Sequence, residues 1–323
     1  MTSLRLTLQL VALLALVALG ATLAQAQSAR TFISAVGDDV NPCSRTAPCK
    51  TFAGTISKTN QNGDMIVLDP GSFGTVTLTK SVGIDAGGNV AVIGAAATTG
   101  ITINLNPALG NTDVVHTVRI RGINILGAGN NAKTGIRGIN ISSTNFTDMK
   151  VILEDVVIDG FLNEGVLFSA DGGDLVVRDS VIRNNDGAGI KVDSSGANLV
   201  HVNVSNSSLA LNNDGILFED NVRGAIQNSN ISNNESNGIV VANVTQASVL
   251  QVQHTLISDN RLAGVVAGGN ITYGTVQLSD CMITNNATGL QINANGLINS
   301  WGNNQLSSNG VDGTFSVSTL TLQ

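Results

Sequence analysis

The chain has 323 residues, a formal charge of −7 and only 12 % charged residues. A mildly acidic surface of that kind gives no electrostatic reason to bind nucleic acid or an anionic membrane. Polar positions are filled by Asn, Ser, Thr and 36 glycines rather than by Lys and Glu, and prolines number four, which favours β-structure with tight turns over long helices.

Residues 1–26 are expected to be a leader. Arg5 gives a positive start, residues 6–19 are an apolar run, and Ala24-Gln25-Ala26 is a small-x-small cleavage site, the pattern of a secretory signal peptide. The run is shorter than the about 20 apolar residues that a membrane span needs. No later stretch is long and apolar enough to span. A chain exported in the bacterial manner is expected in the periplasm, at the cell surface or in the medium. Export also decides how the cysteines read. Cys43 and Cys49 are close in sequence and are expected to form a disulfide. Cys281 is left over and reads as a small buried residue.

Residues 27–64 form an entry segment. It holds an extended stretch at 30–35, a turn-rich loop at 36–42 closed by the cysteine pair, and a helix at 50–58. Phe52 and Ile56 share one face of that helix with Ala53 beside them, so it should lie over the open end of something larger. Asn62-Gly63-Asp64 is expected to end it. Short strands follow at 65–68, 76–78, 82–84, 90–93 and 101–105, separated by Gly and Asn.

A countable repeat begins at Val118. Six apolar anchors, Ile158, Ile182, Leu209, Ile231, Ile257 and Ile283, are each followed six or seven residues later by Gly165, Gly189, Gly215, Gly238, Gly264 and Gly289. A period near 25 means stacked units rather than one globular core. Seven residues before the anchor stand Val118, Val151, Leu175, Val202, Gly224, Leu250 and Val276. Five before it stand Ile120, Leu153, Val177, Val204, Ile226, Val252 and Leu278, with Ile125 as the first anchor. These are inward columns, apolar at all but Gly224, and alternation resumes after each glycine, so every unit holds at least two short strands. The fold expected is all-β, a parallel β-helix of about ten coils spanning 65–313, with a helix capping its N-terminus and a strand at 314–323 capping its C-terminus. Leu306 repeats the anchor, with Trp301 five residues before it.

Polar columns accompany the apolar ones. Asp155, Asp179, Asn206, Asn228, His254 and Asp280 stand three before the anchors, and Asn184-Asn185, Asn212-Asn213, Asn233-Asn234, Asp259-Asn260 and Asn285-Asn286 follow them. Asn and Asp tolerate left-handed backbone and bond nearby peptide groups, so these columns read as turns whose amides stack from coil to coil.

Arg30-Thr-Phe-Ile-Ser-Ala-Val-Gly-Asp-Asp-Val-Asn-Pro-Cys, then Pro48-Cys-Lys-Thr-Phe52, resembles the entry segment of right-handed parallel β-helix proteins of the pectin-lyase-like superfamily. The stretch from Gly63 to Ile84 looks like their first coil, and the Asn-rich repeats are similar to theirs. The resemblance implies the fold. It leaves activity open among polysaccharide lyases, glycoside hydrolases, uronate epimerases, tailspikes, adhesins and non-catalytic secreted proteins. Asn111-Thr112-Asp113 matches only a first fragment of the hydrolase pattern. No His is flanked by glycines, and the epimerase Asp-Pro-His-Glu signature is missing.

One stretch carries charge on the coils. Arg121, Glu154 and Arg178 share an outward column with Arg119 beside it. Asp159 and Arg183 are equivalent positions of neighbouring coils, and Lys191 lies two residues after Gly189. Arg119, Arg121, Glu154 and Arg178 are the candidates for gripping an acidic sugar. No residue stands out as catalytic, and Lys191, Arg183 and Arg178 are the basic groups that could abstract a proton. The competing reading is cross-coil ion pairing that holds the register. No cofactor or protein metal site is expected. Asp38-Asp39 and Asp171 to Asp174 are the loops acidic enough to meet calcium, and such short acidic loops are more often solvated turns. The spacing from Ile125 to Ile158 is 33, so an insert before Val151 is expected to overhang the groove. The function expected is a non-catalytic β-helix that binds extracellular or cell-surface polysaccharide, or serves as an adhesin or scaffold. The alternative is a lyase acting on a uronate polymer.

Overall fold

The computed structural model describes residues 27–105, 113–129, 132–143, 146–194, 196, 198–243, 246–269, 273–317 and 319–320. The expected signal peptide lies outside the described residues. Among those described, no helix is long and apolar enough to cross a membrane.

The chain winds as a parallel β-helix of three sheets. One turn contributes Gly173–Arg178 to sheet 1, Val181–Arg183 to sheet 2 and Ile190–Val192 to sheet 3, and the next turn stacks Val200–Ser205, Ser208–Ala210 and Ile216–Phe218 on them. Among the described residues the sheets hold 11, 10 and 9 strands, so nine turns are complete in all three, against the ten expected. Going once round supplies the crossover that parallel pairing requires. The anchors pair as read from the sequence: Ile125, Ile158, Ile182, Leu209, Ile231, Ile257, Ile283 and Leu306 follow one another in register on sheet 2. All but Leu306 are fully buried, and they meet the inward columns of sheets 1 and 3 in one continuous aliphatic core.

The corners explain the polar columns. Between sheets 1 and 2 the chain turns on a single left-handed residue: Asp155, Asp179, Asn206, Asn228, His254 and Asp280 have φ from 47° to 53°. The residue after it is buried and forms a hydroxyl ladder that the sequence reading missed. Ser180 Oγ accepts from Val156 N at 3.2 Å, Ser207 Oγ from Ser180 N at 3.2 Å and Ser229 Oγ from Ser207 N at 3.3 Å. Cys281 takes the same place, its thiol 3.2 Å from Ser279 O, and burial pushes its pKa up to about 11. Between sheets 2 and 3 the buried asparagines stack. Their amides also account for the repeating glycine: a Cβ on Gly189 would come within 2.9 Å of Asn212 Nδ2 and 2.7 Å of Gly215 O.

The ends depart from expectation. The helix is Phe52–Ile56, not 50–58, because Thr51 caps it by accepting from Gly54 N. Phe52 and Thr55 are buried while Ala53 is exposed. Phe52 meets Phe73 edge-on at 5.8 Å between ring centroids, which seats the helix over the first turn. Asn62-Gly63-Asp64 lies inside the strand Thr59–Val67 rather than ending the helix. Cys43 and Cys49 are joined. At the other end, the described residues of 314–320 form no regular strand. Val317 bridges Asn299 and Val311 bridges Thr288, while Phe315 packs against the core. Trp301 falls out of its expected column, since Leu278 pairs with Ser300 and one extra residue separates Ser300 from Leu306.

Candidate functional site

Sheet 1 is built from the longest strands, so its outer face presents three outward columns rather than one. Register sets their contents. One column runs Asp85, Arg121, Glu154, Arg178, Ser205. The next runs Arg30, Asp64, Gly83, Arg119, Ile152. These groups surround a groove of about 390 Å³ that includes Arg30, Asp64, Arg119, Arg121, Glu154 and Arg178 in its walls.

Within the groove the charges are unequally satisfied. Arg178 Nη2 is 2.8 Å from Glu154 Oε2, and that hydrogen bond, followed by the Glu154 charge, raises the Arg178 pKa above its ordinary value. Arg119 and Arg121 are exposed, and among the described residues neither makes an ion pair. For Arg119 the reason is local, because its cross-strand neighbours are Gly83 and Ile152. An unpaired guanidinium on a flat, wet sheet is a ready partner for a planar anion.

The other charged candidates lie elsewhere. Arg183 is on sheet 2, with Nε 2.9 Å from Asp159 Oδ2. Lys191 is on sheet 3, 3.1 Å from Glu219 Oε1 and 3.8 Å from Asp193 Oδ2. Burial, together with the neighbouring Asp193, raises the Glu219 pKa against the pull of Lys191. The structure therefore brings together Arg119, Arg121, Glu154 and Arg178 and separates Arg183 and Lys191 from them. Residues adjacent on the linear map fall on different faces of a three-sided coil. Sequence reasoning missed Arg30, Asp64 and Asp85, because the irregular first turns hid their register with Arg119 and Arg121.

The insert before Val151 divides in two. Ala128–Gly129 and Ala132–Lys133 form a two-stranded antiparallel ribbon at the corner between sheets 2 and 3, away from the groove. The remainder lies between sheets 3 and 1. There His116 holds Asp148 through Nδ1 at 2.7 Å and Asp113 O through Nε2 at 2.7 Å, its ring 3.8 Å from that of Phe146. Asn111 and Thr112 lie outside the described residues. Asp113 is 4 % exposed and turned inward. Burial alone would raise its pKa, but hydrogen bonds from Ser81, Gln61 and Val115 outweigh it and hold the carboxyl down at about 2. Of the acidic loops, Asp39 accepts from Lys50 N, Thr51 N and Thr51 Oγ, and Asp174 pairs with Lys150 at 3.2 Å. Tyr273 is exposed and Trp301 partly so, and among the described residues no row of rings runs along sheet 1.

No curated protein matches the sequence. Among solved structures the chain is similar to the pectate lyase Pel9A, with a TM-score of 0.65 and 14 % identity over 85 % of this chain and 75 % of that one. It is also similar to the enzymatically active domain of bacteriophage CBA120 tailspike protein 2, at TM-score 0.56 and 10 % identity over 79 % and 44 % of the two chains. A GH136 lacto-N-biosidase from Eubacterium ramulus gives TM-score 0.53 and 10 % identity over 85 % and 67 %. Likeness at these identities is likeness of fold. Residues 138–311, more than half of the sequence, match the family described as the right handed beta helix region, and the chain belongs to that family.

Proposed function

We propose that the protein is an exported β-helix that binds an extracellular or cell-surface polysaccharide along the outer face of sheet 1 without cleaving it, as an adhesin or scaffold would. The observation that carries this reading is the pair Arg119 and Arg121, two exposed guanidinium groups in one groove that make no ion pair among the described residues. The remainder of sheet 1 supports it, since its outward residues beyond Arg178 include Asn203, Ser205, Gln227, Gln251, Gln253 and Gln277, which suit hydroxyl-rich ligands. The solved structures that resemble the chain include a pectate lyase and a lacto-N-biosidase, whose names are those of carbohydrate-acting enzymes. The Cys43–Cys49 disulfide supports an oxidising destination.

Binding without cleavage is favoured because Arg178, Arg183 and Lys191, the candidate bases, are each paired with a carboxylate. The second reading, a lyase on a uronate polymer, is favoured by Arg119 and Arg121, which are not so paired. One experiment separates the two. The purified protein is incubated with a panel of uronate and neutral polysaccharides, with and without calcium, while binding and ultraviolet absorbance are followed. Binding without unsaturated product is the expected result. Growth of ultraviolet absorbance overturns it in favour of the lyase, and no binding to any polymer removes both.

A further inference from the structure

Sheet 1 carries a second depression, of about 600 Å³, over the strand Val222–Gln227. One small outward residue, Ala225, opens it, with the backbone of Gly224 beside it. Gly224 stands at an inward position that is aliphatic in the turns on either side, at Val202 and Leu250, and a Cβ there would lie 2.5 Å from the Phe218 ring and 2.9 Å from Leu250. Phe218 fills the core from below in its place. Ala225, the outward neighbour, stands in register between Asn203 and Gln251. At Ala225 the outer face thus carries nothing longer than a methyl group, between the longer side chains of Asn203 and Gln251, and Val176 and Val249 complete the apolar lining.

The wall beside it is a column of charge that stops abruptly. Lys150, Asp174, His201, Arg223 and Val249 follow one another in register. Lys150 Nζ is 3.2 Å from Asp174 Oδ2, and His201 Nδ1 is 3.5 Å from Asp174 Oδ1. Arg223 has only His201 and Val249 as column neighbours, and among the described residues it makes no ion pair. Asp174, the carboxylate that lines the depression, is occupied by Lys150 and lies two strands from Arg223, roughly 10 Å. The guanidinium therefore faces the depression with its planar fork uncommitted, the geometry that takes a carboxylate through two parallel hydrogen bonds.

We infer that this depression is a subsite for a carboxylate-bearing sugar. Arg223 takes the carboxylate, His201 supplies a further polar contact, Asn203 and Gln251 meet hydroxyls, and the sugar ring lies over Gly224 and Ala225. The inference rests on the proposed function for its premise that sheet 1 faces a glycan, but it uses different residues, four strands from Arg119.

The test is a titration of the ¹⁵N-labelled full chain with trigalacturonate, its fully methyl-esterified form, and inorganic sulfate. The arginine Nε–Hε signals are followed, and Arg223→Gln identifies the one from Arg223. The Arg223 signal is expected to move with trigalacturonate and to stay in place with the ester. Arg223→Gln, and Ala225→Leu, which fills the floor from the solvent side, are each expected to weaken the interaction roughly tenfold or more. The subsite is overturned if the Arg223 signal does not move, or if sulfate moves it with equal affinity, since the sugar would then contribute nothing. Movement of Arg119 and Arg121 without Arg223 removes the subsite and leaves the proposed function standing. Movement of Arg223 alone does the reverse for the Arg119–Arg121 groove.

Discussion

Asn185 Nδ2 donates to Asn212 Oδ1 at 2.8 Å, one full turn of the solenoid away, with both amides buried. The relation repeats from Asn212 to Asn234, Asn260, Asn286 and Asn309, at 3.4, 2.8, 2.9 and 3.0 Å. Each amide from Asn212 onward also donates to an anchor carbonyl, and its oxygen accepts a backbone N–H, as Asn234 Oδ1 does from Asn212 N at 3.0 Å. Every polar atom in this buried column has a partner one turn away. The interior can therefore hold a polar column only while it is uninterrupted.

Asn234→Ala is expected to be severe for that reason. It strands the Asn212 backbone N–H in the interior and removes the bond to Asn260. Leaving buried donors unmet costs about 1–3 kcal/mol each, so a loss of about 2–4 kcal/mol is expected in urea unfolding. Asn309→Ala, at the partly exposed end of the same column, is expected to cost less than half as much.

Leu211 offers the opposite effect. It has φ 58° and is 55 % exposed, at the corner position that Asn184, Asn233, Asp259 and Asn285 occupy in other turns with φ 57° or 58°. Left-handed backbone costs an ordinary L-residue about 1–2 kcal/mol, and Asn relieves part of that. Leu211→Asn is expected to raise stability by about 0.5–1 kcal/mol, read as a higher urea midpoint with an unchanged slope.

These two sites show how far the sequence could be read. Anchors, inward columns and turn asparagines were legible because one side-chain period and one coil period repeat together. The assignment of outward residues to faces was not, because it depends on how many residues each corner uses. That count places Arg183 on sheet 2 and Lys191 on sheet 3, and it shifts Trp301 out of its column. The serine ladder was hidden because Ser180, Ser207 and Ser229 look like ordinary corner residues until their burial is known. Gly224 was visible as the one gap in an apolar column, but only Phe218 beneath it explains why the gap leaves no void.

Asp113 makes a pH prediction of definite sign. Its folded pKa, about 2, lies below the about 3.9 of an unfolded aspartate. Its contribution is therefore present in full above the unfolded value and lost as pH falls from about 4 toward 2, on the order of 2 kcal/mol. Urea unfolding across that window should show a steeper loss in the natural protein than in Asp113→Asn. Equal pH slopes would mean that the carboxylate is not held by Ser81, Gln61 and Val115 as described.

The disulfide should act locally. Closing so short a loop is worth about 2 kcal/mol of chain entropy. Lys58 Nζ also ties the same loop, donating to the carbonyls of Asp39 and Asn41. In the doubly substituted Cys43→Ser, Cys49→Ser protein, hydrogen exchange is expected to quicken across residues 28–58. Protection at 200–290 is expected to stay unchanged, because solenoid turns contact only their neighbours.

Glu154 separates a structural role for the charged column from a binding one. It stands between Arg121 and Arg178 in register and, among the described residues, pairs only with Arg178, at 2.8 Å. An exposed pair of that kind is worth about 0–1 kcal/mol, so Glu154→Gln should barely change the urea midpoint. The same substitution removes a negative charge from the groove and frees a third guanidinium beside Arg119 and Arg121. Affinity for a polyuronate is therefore expected to rise roughly three- to tenfold at low salt, and the gain should shrink as ionic strength increases. If the column instead serves to hold the coils in register, Glu154→Gln will lower stability by well over 1 kcal/mol and leave polysaccharide binding where it was.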